Sequence, residues 1–463
     1  MNSIGGGILA LLIALVLFGP RRWALLGMMA GVLYLTQQQA IDLFGLNLTA
    51  IRLLELVGFA RVMGRRELSF SRLNGVDRAL LLVYGYTTFV FLMRSDSHQV
   101  QMVGTMVDAT LCYFTFRGLI RDMEELKWLL RTFVIILIPY VTLLSVEMLT
   151  LNNPFTSMGA STWADLRGGR IRAMGSFRHP SLLGTLGTSL LPLYIGLVLA
   201  RCDRIRALAG IGLCFGIIFL SNSGGPLNAA AMGVVGWLCW AARMKMCIVR
   251  RILVGMVVFL ALVMKAPIWY LIARLSSLSG GSGWHRAHLL DVGFGNLDQW
   301  WLAGMEIERT KDWLPYALGI TGGADITNNF LAFGLNAGLL AMGLLIFLLI
   351  RTFRTLGHAL AMVRYASTSK ETEYLLWGLG CVLLVHVVTW FGITYFDQIY
   401  VVWFMQLAAI SSISHACIRD HTADVRTKGL IRKRIGEPDK KRLATEVRQR
   451  WSSESSPEVT RLR

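Results

Sequence analysis

Apolar residues gather into about thirteen runs separated by polar segments, at roughly 4–19, 23–37, 48–63, 78–93, 101–120, 128–150, 181–200, 207–222, 226–242, 252–272, 327–350, 374–394 and 398–416. Each approaches the ~20 residues an α-helix needs to cross a bilayer. None shows the in-out alternation of a barrel strand, and backbone groups in hydrocarbon must be hydrogen-bonded within their own segment, so the runs are predicted as helices. The expected fold class is all-α, a polytopic transmembrane bundle of about 12–14 helices.

The polar connections give this bundle a direction. Arg21 and Arg22, then Arg61, Arg65, Arg66, Arg72 and Arg78, then Arg201, Arg204 and Arg206, then Arg243, Lys245, Arg250 and Arg251, and finally Arg351, Arg354, Arg364 and Lys370 fall in alternate connections. Basic residues collect on the cytoplasmic side, which places the N-terminus outside and the chain beyond about Arg419 inside, as an odd number of crossings requires. The first run is followed, not preceded, by its positive charges and reads as a retained anchor.

Two outer connections are long, and function is expected under them. The division expected is 1–150 as N-terminal helices, 151–180 as an Arg-rich outer loop and 181–272 as central helices. Residues 273–326 form a large outer loop with an amphipathic helix that sets Trp300 and Trp301 at headgroup level. The remainder is 327–416 as C-terminal helices and 417–463 as a basic, unstructured cytoplasmic tail.

Composition sharpens this picture. A hydrophobic content of 54% and a mean hydropathy of +0.54 fit a chain whose main solvent is lipid. The net charge of +18 lies in inter-helix loops and the tail, so it points to topology and membrane lipids, not nucleic acid. Seven cysteines show neither a disulfide framework nor metal-ligand spacing, and no glycine-rich loop opens a nucleotide-binding unit. No cofactor and no metal are expected.

Charge is out of place in one segment. Asp165 to Pro180, DLRGGRIRAMGSFRHP, carries Arg167, Arg170, Arg172 and Arg178 against a single acid, Asp165, on the side where Arg is scarce. Arg offers planar paired donors to phosphate oxygens, and at ~4 Å and an effective dielectric near 20 one such pair attracts by ~4 kcal/mol before desolvation. His179 and Pro180 open the next helix, whose small residues Gly184 and Gly187 leave N–H groups accessible to an anion. Arg172 and Arg178 are the candidate ligands here, with Arg167 and Arg170 read as surface charges.

The pattern R-x-x-G-x-x-x-x-P at Arg172, Gly175 and Pro180 resembles a segment of the O-antigen ligase and O-antigen polymerase superfamily. The turn SNSGGPLNAA (221–230) stands where such proteins often have S-R-G, a long outer loop presents Arg286 in GWHRAHLLD, and TNNFLAFGLNAGLL is similar to H-N-x-x-L-x-x-x-x-x-x-G through Asn328, Leu331 and Gly338. The likeness is strongest over roughly 160–345 and rests on the order of the motifs. Gly224 stands where an Arg is usual, a loss that Arg178 or Arg170 is expected to offset, and Thr327 stands where the ligase-type motif has His, which favours a polymerase-like or divergent member.

The resemblance implies a metal-independent integral-membrane glycosyltransferase. It would move a glycan from a lipid-linked oligosaccharide donor, on undecaprenyl diphosphate, to an acceptor sugar at the outer face of the bacterial inner membrane, alongside other polysaccharide assembly proteins. Arg172, Arg286 and Arg178 are the candidates to hold the diphosphate, Asn328 and Asn329 to orient sugar hydroxyls, and His285, Asp325 and His179 to serve as base. Each has an ordinary alternative: a helix cap for His179, a solvated side chain for His285, a helix N-terminal charge for Asp325. At membrane depth, Arg52 is expected to pair with Glu55 one turn on, Asp108 needs a basic partner from another helix, and His386 is a third ionisable group. Such charges also fit a transporter or lipid-linked-sugar flippase, and the departures at Thr327 and Gly224 fit a non-catalytic assembly partner.

Overall fold

The computed structural model describes residues 1–43, 46–94, 99–162, 165–167, 169–277, 283–319, 322–366 and 369–435. Helices fall on each expected run: α1 (Ser3–Phe18), α2 (Arg21–Tyr34), α3 (Ala50–Gly64), α4 (Gly75–Met93), α5 (Gln99–Leu119), α6 (Met123–Thr150), α7 (Pro180–Leu199), α8 (Arg204–Ser221), α9 (Gly224–Leu238) and α10 (Met246–Val263). Three shorter ones follow, α11 (Tyr270–Ser277), α12 (Gly283–Gly295) and α13 (Leu297–Trp300), and then α14 (Asn329–Tyr365), α15 (Lys370–Trp390) and α16 (Ile399–Ile435). Among the described residues, eight helical runs are long and apolar enough to cross a membrane, with α9 and α10 taken as one run. The chain is an all-α, multi-pass membrane protein.

Local chemistry sets the helix starts. Asn74 and Asp122 each form a capping box with the acid three residues on, Asp77 and Glu125. His179 caps α7 with Pro180 at its first position, and Asn328 caps α14. Two short hairpins interrupt the helical pattern: β1 (Ala40–Leu43) with β2 (Leu46–Thr49), and β3 (Asp165–Arg167) with β4 (Arg170–Arg172).

Contacts between connections sort the helix ends to two faces. On one, which we call the loop face, Thr36 and Gln39 donate to the carbonyl of Met158 (2.6 and 2.8 Å), Asn222 donates to Ile171 (3.1 Å), and Thr394 donates to Ile326 (2.5 Å). On the other, basic residues of the alternate connections meet acids: Arg21 with Glu125, Arg61 with Glu67, Lys127 with Glu371, Arg243 and Arg364 with Glu373. The chain reverses between α9 and α10, because Trp269, just beyond α10, donates to Asp291 of α12 (2.8 Å), whose Arg286 lies beside Gly225 at the start of α9.

The helix that follows the Arg-rich segment is the most enclosed: 83% of its apolar window is buried, among α8, α9 and α15. Gly184 and Gly187 serve that packing, since a Cβ at Gly184 would meet Ser221 Oγ at 2.5 Å and one at Gly187 would meet the Cys214 carbonyl at 2.8 Å. They let helices approach rather than expose N–H groups, contrary to the sequence expectation.

Residues 283–335 build a second core on the loop face, in which Leu289, Leu290, Trp300, Leu314 and Leu331 pack together. Trp300 is fully buried and donates to the Gly293 carbonyl (2.7 Å), so only Trp301 of the expected interfacial pair is exposed. Helix α14 breaks at Ala337 and Gly338, the latter at φ 82°, ψ 177°. Leu339 N–H donates to Trp301 and Met305 N–H to Leu335, which stitches the loop into the break.

Three further expectations change. Arg52 reaches across to Asp108 of α5 (2.6 Å) instead of pairing with Glu55 on its own helix, so it is the basic partner Asp108 needs. His386 lies between Tyr395 and Gln406. The segment 417–435, assigned to an unstructured tail, continues α16, while 436–463 and part of the stretch SSLSGGSGWHR lie outside the described residues.

Candidate functional site

The site begins at the β3–β4 hairpin. Asp165 and Arg172 are register partners, and Arg172 Nη1 donates to Asp165 Oδ2 (2.7 Å). The other end of the guanidinium, Nη2, lies 3.3 Å from Ser223 Oγ and 3.5 Å from Ser181 Oγ, and these two hydroxyls are 2.7 Å apart. Arg172 thus sits between the starts of α7 and α9.

Gly175 holds it there. Its φ of 57° belongs to glycine, and a Cβ would strike Leu144 at 2.6 Å and Tyr140 Oη at 2.7 Å. The buried Glu147 carboxylate accepts the N–H groups of Met174 and Gly175 (both 2.9 Å), and Asn153 donates to the Gly175 carbonyl (2.9 Å). Arg172, Gly175 and Pro180 therefore play three parts in one device: the charge, the turn and the helix start.

Arg286, in the first turn of α12, reaches the same place from the second loop. A Cβ on Gly225 would lie 3.6 Å from its Nη2, and one on Gly392 would lie 3.2 Å from its Cζ. The guanidinium occupies the space these two glycines leave. It has no ion pair or hydrogen bond among the described residues, and its Nε is buried without a partner. Burial pulls its pKa below the usual range, Arg167 adds to that, and Asp325 opposes it. A half-buried cation without a counter-ion is costly, and an anionic ligand would relieve that cost.

Arg172 Nε, Thr327 Oγ1 and Asn328 Nδ2 are likewise buried without a partner. Burial lowers the Arg172 pKa against the pull of Asp165, and Arg167 lowers it further. Two helix N-termini add positive potential: that of α7, and that of α9, which has no side-chain cap. Together these features make the starts of α7 and α9 electropositive, chemistry that suits an anion.

His179 faces both cations. Burial first, then Arg172, brings its pKa down to about 4, with Arg286 contributing. Its Nδ1 accepts from Ser181 N–H (3.1 Å), so the neutral ring presents Nε2–H as a donor, a poor arrangement for a base. His285 and Asp325 act on each other and on Arg286. Burial lowers the pKa of His285, opposed by Asp325; it raises that of Asp325, opposed by His285 and Arg286, although the Asp325 side chain remains at the exposed rim.

The other sequence candidates are tied into the framework. Arg178 Nε donates to Asp397 Oδ1 (2.6 Å), its guanidinium lies over Phe396 (5.8 Å), and Asp397 is fully buried at the side chain, so this pair pins the first loop to the turn before α16. It does not offset the missing Arg at Gly224, and Arg170 is exposed on its hairpin. Asn328 Oδ1 accepts from Leu331 N–H (3.0 Å) as a helix cap, and Asn329 Oδ1 accepts from Tyr395 N–H (3.4 Å).

Sequence reasoning did not assign the partnership of Asp165 with Arg172 or the parts of Ser181 and Ser223. Arg167 is exposed, in keeping with a surface charge, and its field reaches Arg172, Arg286 and His179. Hairpin register was the available signal for the pairing of Asp165 with Arg172. A cavity of about 350 Å³ between α4 and α14, lined by Arg78 and Arg351, belongs to the opposite face and is separate from this site. No family model matches the chain, and no curated protein matches it either.

Proposed function

We propose that the chain is a polysaccharide polymerase-like integral-membrane glycosyltransferase. It transfers glycan units from an undecaprenyl-diphosphate carrier to an acceptor sugar at the outer face of the bacterial inner membrane. The observation that carries this reading is the unpaired, half-buried guanidinium of Arg286 next to Gly225 in the first turn of α9, the helix whose N-cap Ser223 meets Arg172. As the bond from the sugar C1 to the lipid diphosphate breaks, negative charge builds on the leaving oxygens. Fixed Arg donors that need no reorganisation stabilise that charge. Asp325 at the rim takes the proton of the attacking hydroxyl, with His285 beside it.

A flippase reading draws less support. Within the bundle Arg52 pairs with Asp108 and Arg117 with Asp77 (3.1 Å), whereas Arg286 at the loop face forms no ion pair or hydrogen bond among the described residues. Arg172→Ala and Arg286→Ala are each expected to abolish long glycan in cells while the protein still reaches the membrane. Unchanged polymer length in both variants would sink the donor-site reading. Deletion of the gene is expected to leave lipid-linked repeat units accumulating on the outer leaflet; their retention on the inner leaflet would favour the flippase.

A further inference from the structure

Beyond the anion site, we propose that Trp284 and Tyr316 form a stacking platform for a pyranose ring, with Asp325 and His285 at its polar edge. The inference rests on the glycosyl-transfer reading, for which it names the subsite that holds sugar. Trp284 is stacked on His288 through one face, with centroids 4.8 Å apart and planes 16° apart, yet remains 57% exposed, so its other face is open. Tyr316, 59% exposed, lies 6.4 Å from it at 35°, and His285 meets Tyr316 edge to face at 5.9 Å. Asp325 N–H donates to the Ala317 carbonyl (2.9 Å), which holds the Tyr316 strand against the Asp325 rim.

The two large rings are tilted to each other and more than half exposed, and the His285 imidazole, which Asp325 acts on, meets the edge of Tyr316. A pyranose has matching parts: an apolar face of axial C–H bonds for the rings, and equatorial hydroxyls for the carboxylate and imidazole. Aromatic residues at a membrane interface can instead anchor in lipid headgroups. That role suits Trp301 and Leu302, which are 52% and 66% exposed side by side. It suits Trp284 less, because one face of its ring is already stacked on His288.

The test uses the full chain in lipid nanodiscs and the phosphate-free oligosaccharide released by mild acid from lipid-linked repeat units. Saturation-transfer NMR reads which sugar protons touch the protein. We expect transfer to the C–H protons of one ring face, weakened tenfold or more in Trp284→Ala and Tyr316→Ala, retained in Trp284→Phe, and unaffected in Arg170→Ala, on the exposed hairpin. Binding of inorganic pyrophosphate by the two alanine variants reports that the loop layer is intact. Transfer that survives both alanine variants, as expected if the rings only anchor in lipid, overturns the platform; so does its absence in the parent protein. Competition by the lipid-diphosphate-linked form assigns the bound ring to the donor, and its persistence under saturating donor assigns it to the acceptor. Loss of pyrophosphate binding in neither Arg172→Ala nor Arg286→Ala would refute the anion site while leaving the platform standing.

Discussion

Arg172 and Arg178 lie six residues apart in one loop, yet have different work. Arg178 meets the buried carboxylate of Asp397, whose pKa burial raises and Arg178 lowers. Removing one member of a fully buried pair costs about 3–5 kcal/mol. The Arg178 side chain is 43% exposed, so solvent screening reduces this to roughly 1–3 kcal/mol. Arg178→Ala is therefore expected to lower the unfolding temperature in detergent while pyrophosphate affinity changes less than threefold. A large affinity loss without destabilisation would return Arg178 to the site. The base has its own signature. A carboxylate must be ionised to accept a proton, and the Asp325 pKa is raised above its usual value, so transfer is expected to fall on acidification in a limb above the ordinary carboxylate range. His179, with its pKa near 4, contributes no titration between pH 5 and 8. Rates followed on acidification from neutral pH should keep the acid limb in His179→Asn and lose it in Asp325→Asn; the reverse pattern would name His179 as base.

At the scale of elements, the apolar runs were legible because lipid imposes one rule on the backbone, and helices occupy every expected run. What stayed hidden was how polar side chains divide between structure and site. Asn328, Leu331 and Gly338 form a recognisable string, but their roles are to cap α14, fill the loop core and break the helix. Arg52 paired with another helix because tertiary packing offered a closer partner than Glu55, which no sequence spacing reveals. The break in α14 gives a direct test. At φ 82° and ψ 177°, a region open essentially only to glycine, a Cβ on Gly338 would also lie 2.3 Å from the Leu302 carbonyl. Gly338→Ala is expected to destabilise the loop layer by about 3 kcal/mol or more, seen as fast hydrogen exchange over 297–335 with the apolar helices still protected. Unaltered exchange in that segment would mean that the break tolerates a side chain.

Taken whole, the molecule joins an apolar bundle to a polar layer at one face, and two segments far apart in sequence supply the cations there. The sequence pattern singles out Arg172 and Arg286 as candidate ligands one by one. Their shared position at the start of α9 could not be read from it, because it depends on Ser223 bridging to one and on Gly225 and Gly392 leaving room for the other. The central claim is that both guanidiniums act on one diphosphate. A double-mutant cycle tests it most directly, with inorganic pyrophosphate titrated against the parent, Arg172→Ala, Arg286→Ala and the double variant in nanodiscs. The account predicts that each single variant loses tenfold or more in affinity and that the double variant loses far less than the product, a coupling of at least ~1 kcal/mol. Losses that multiply without coupling, or an affinity left unchanged in either single variant, would contradict it.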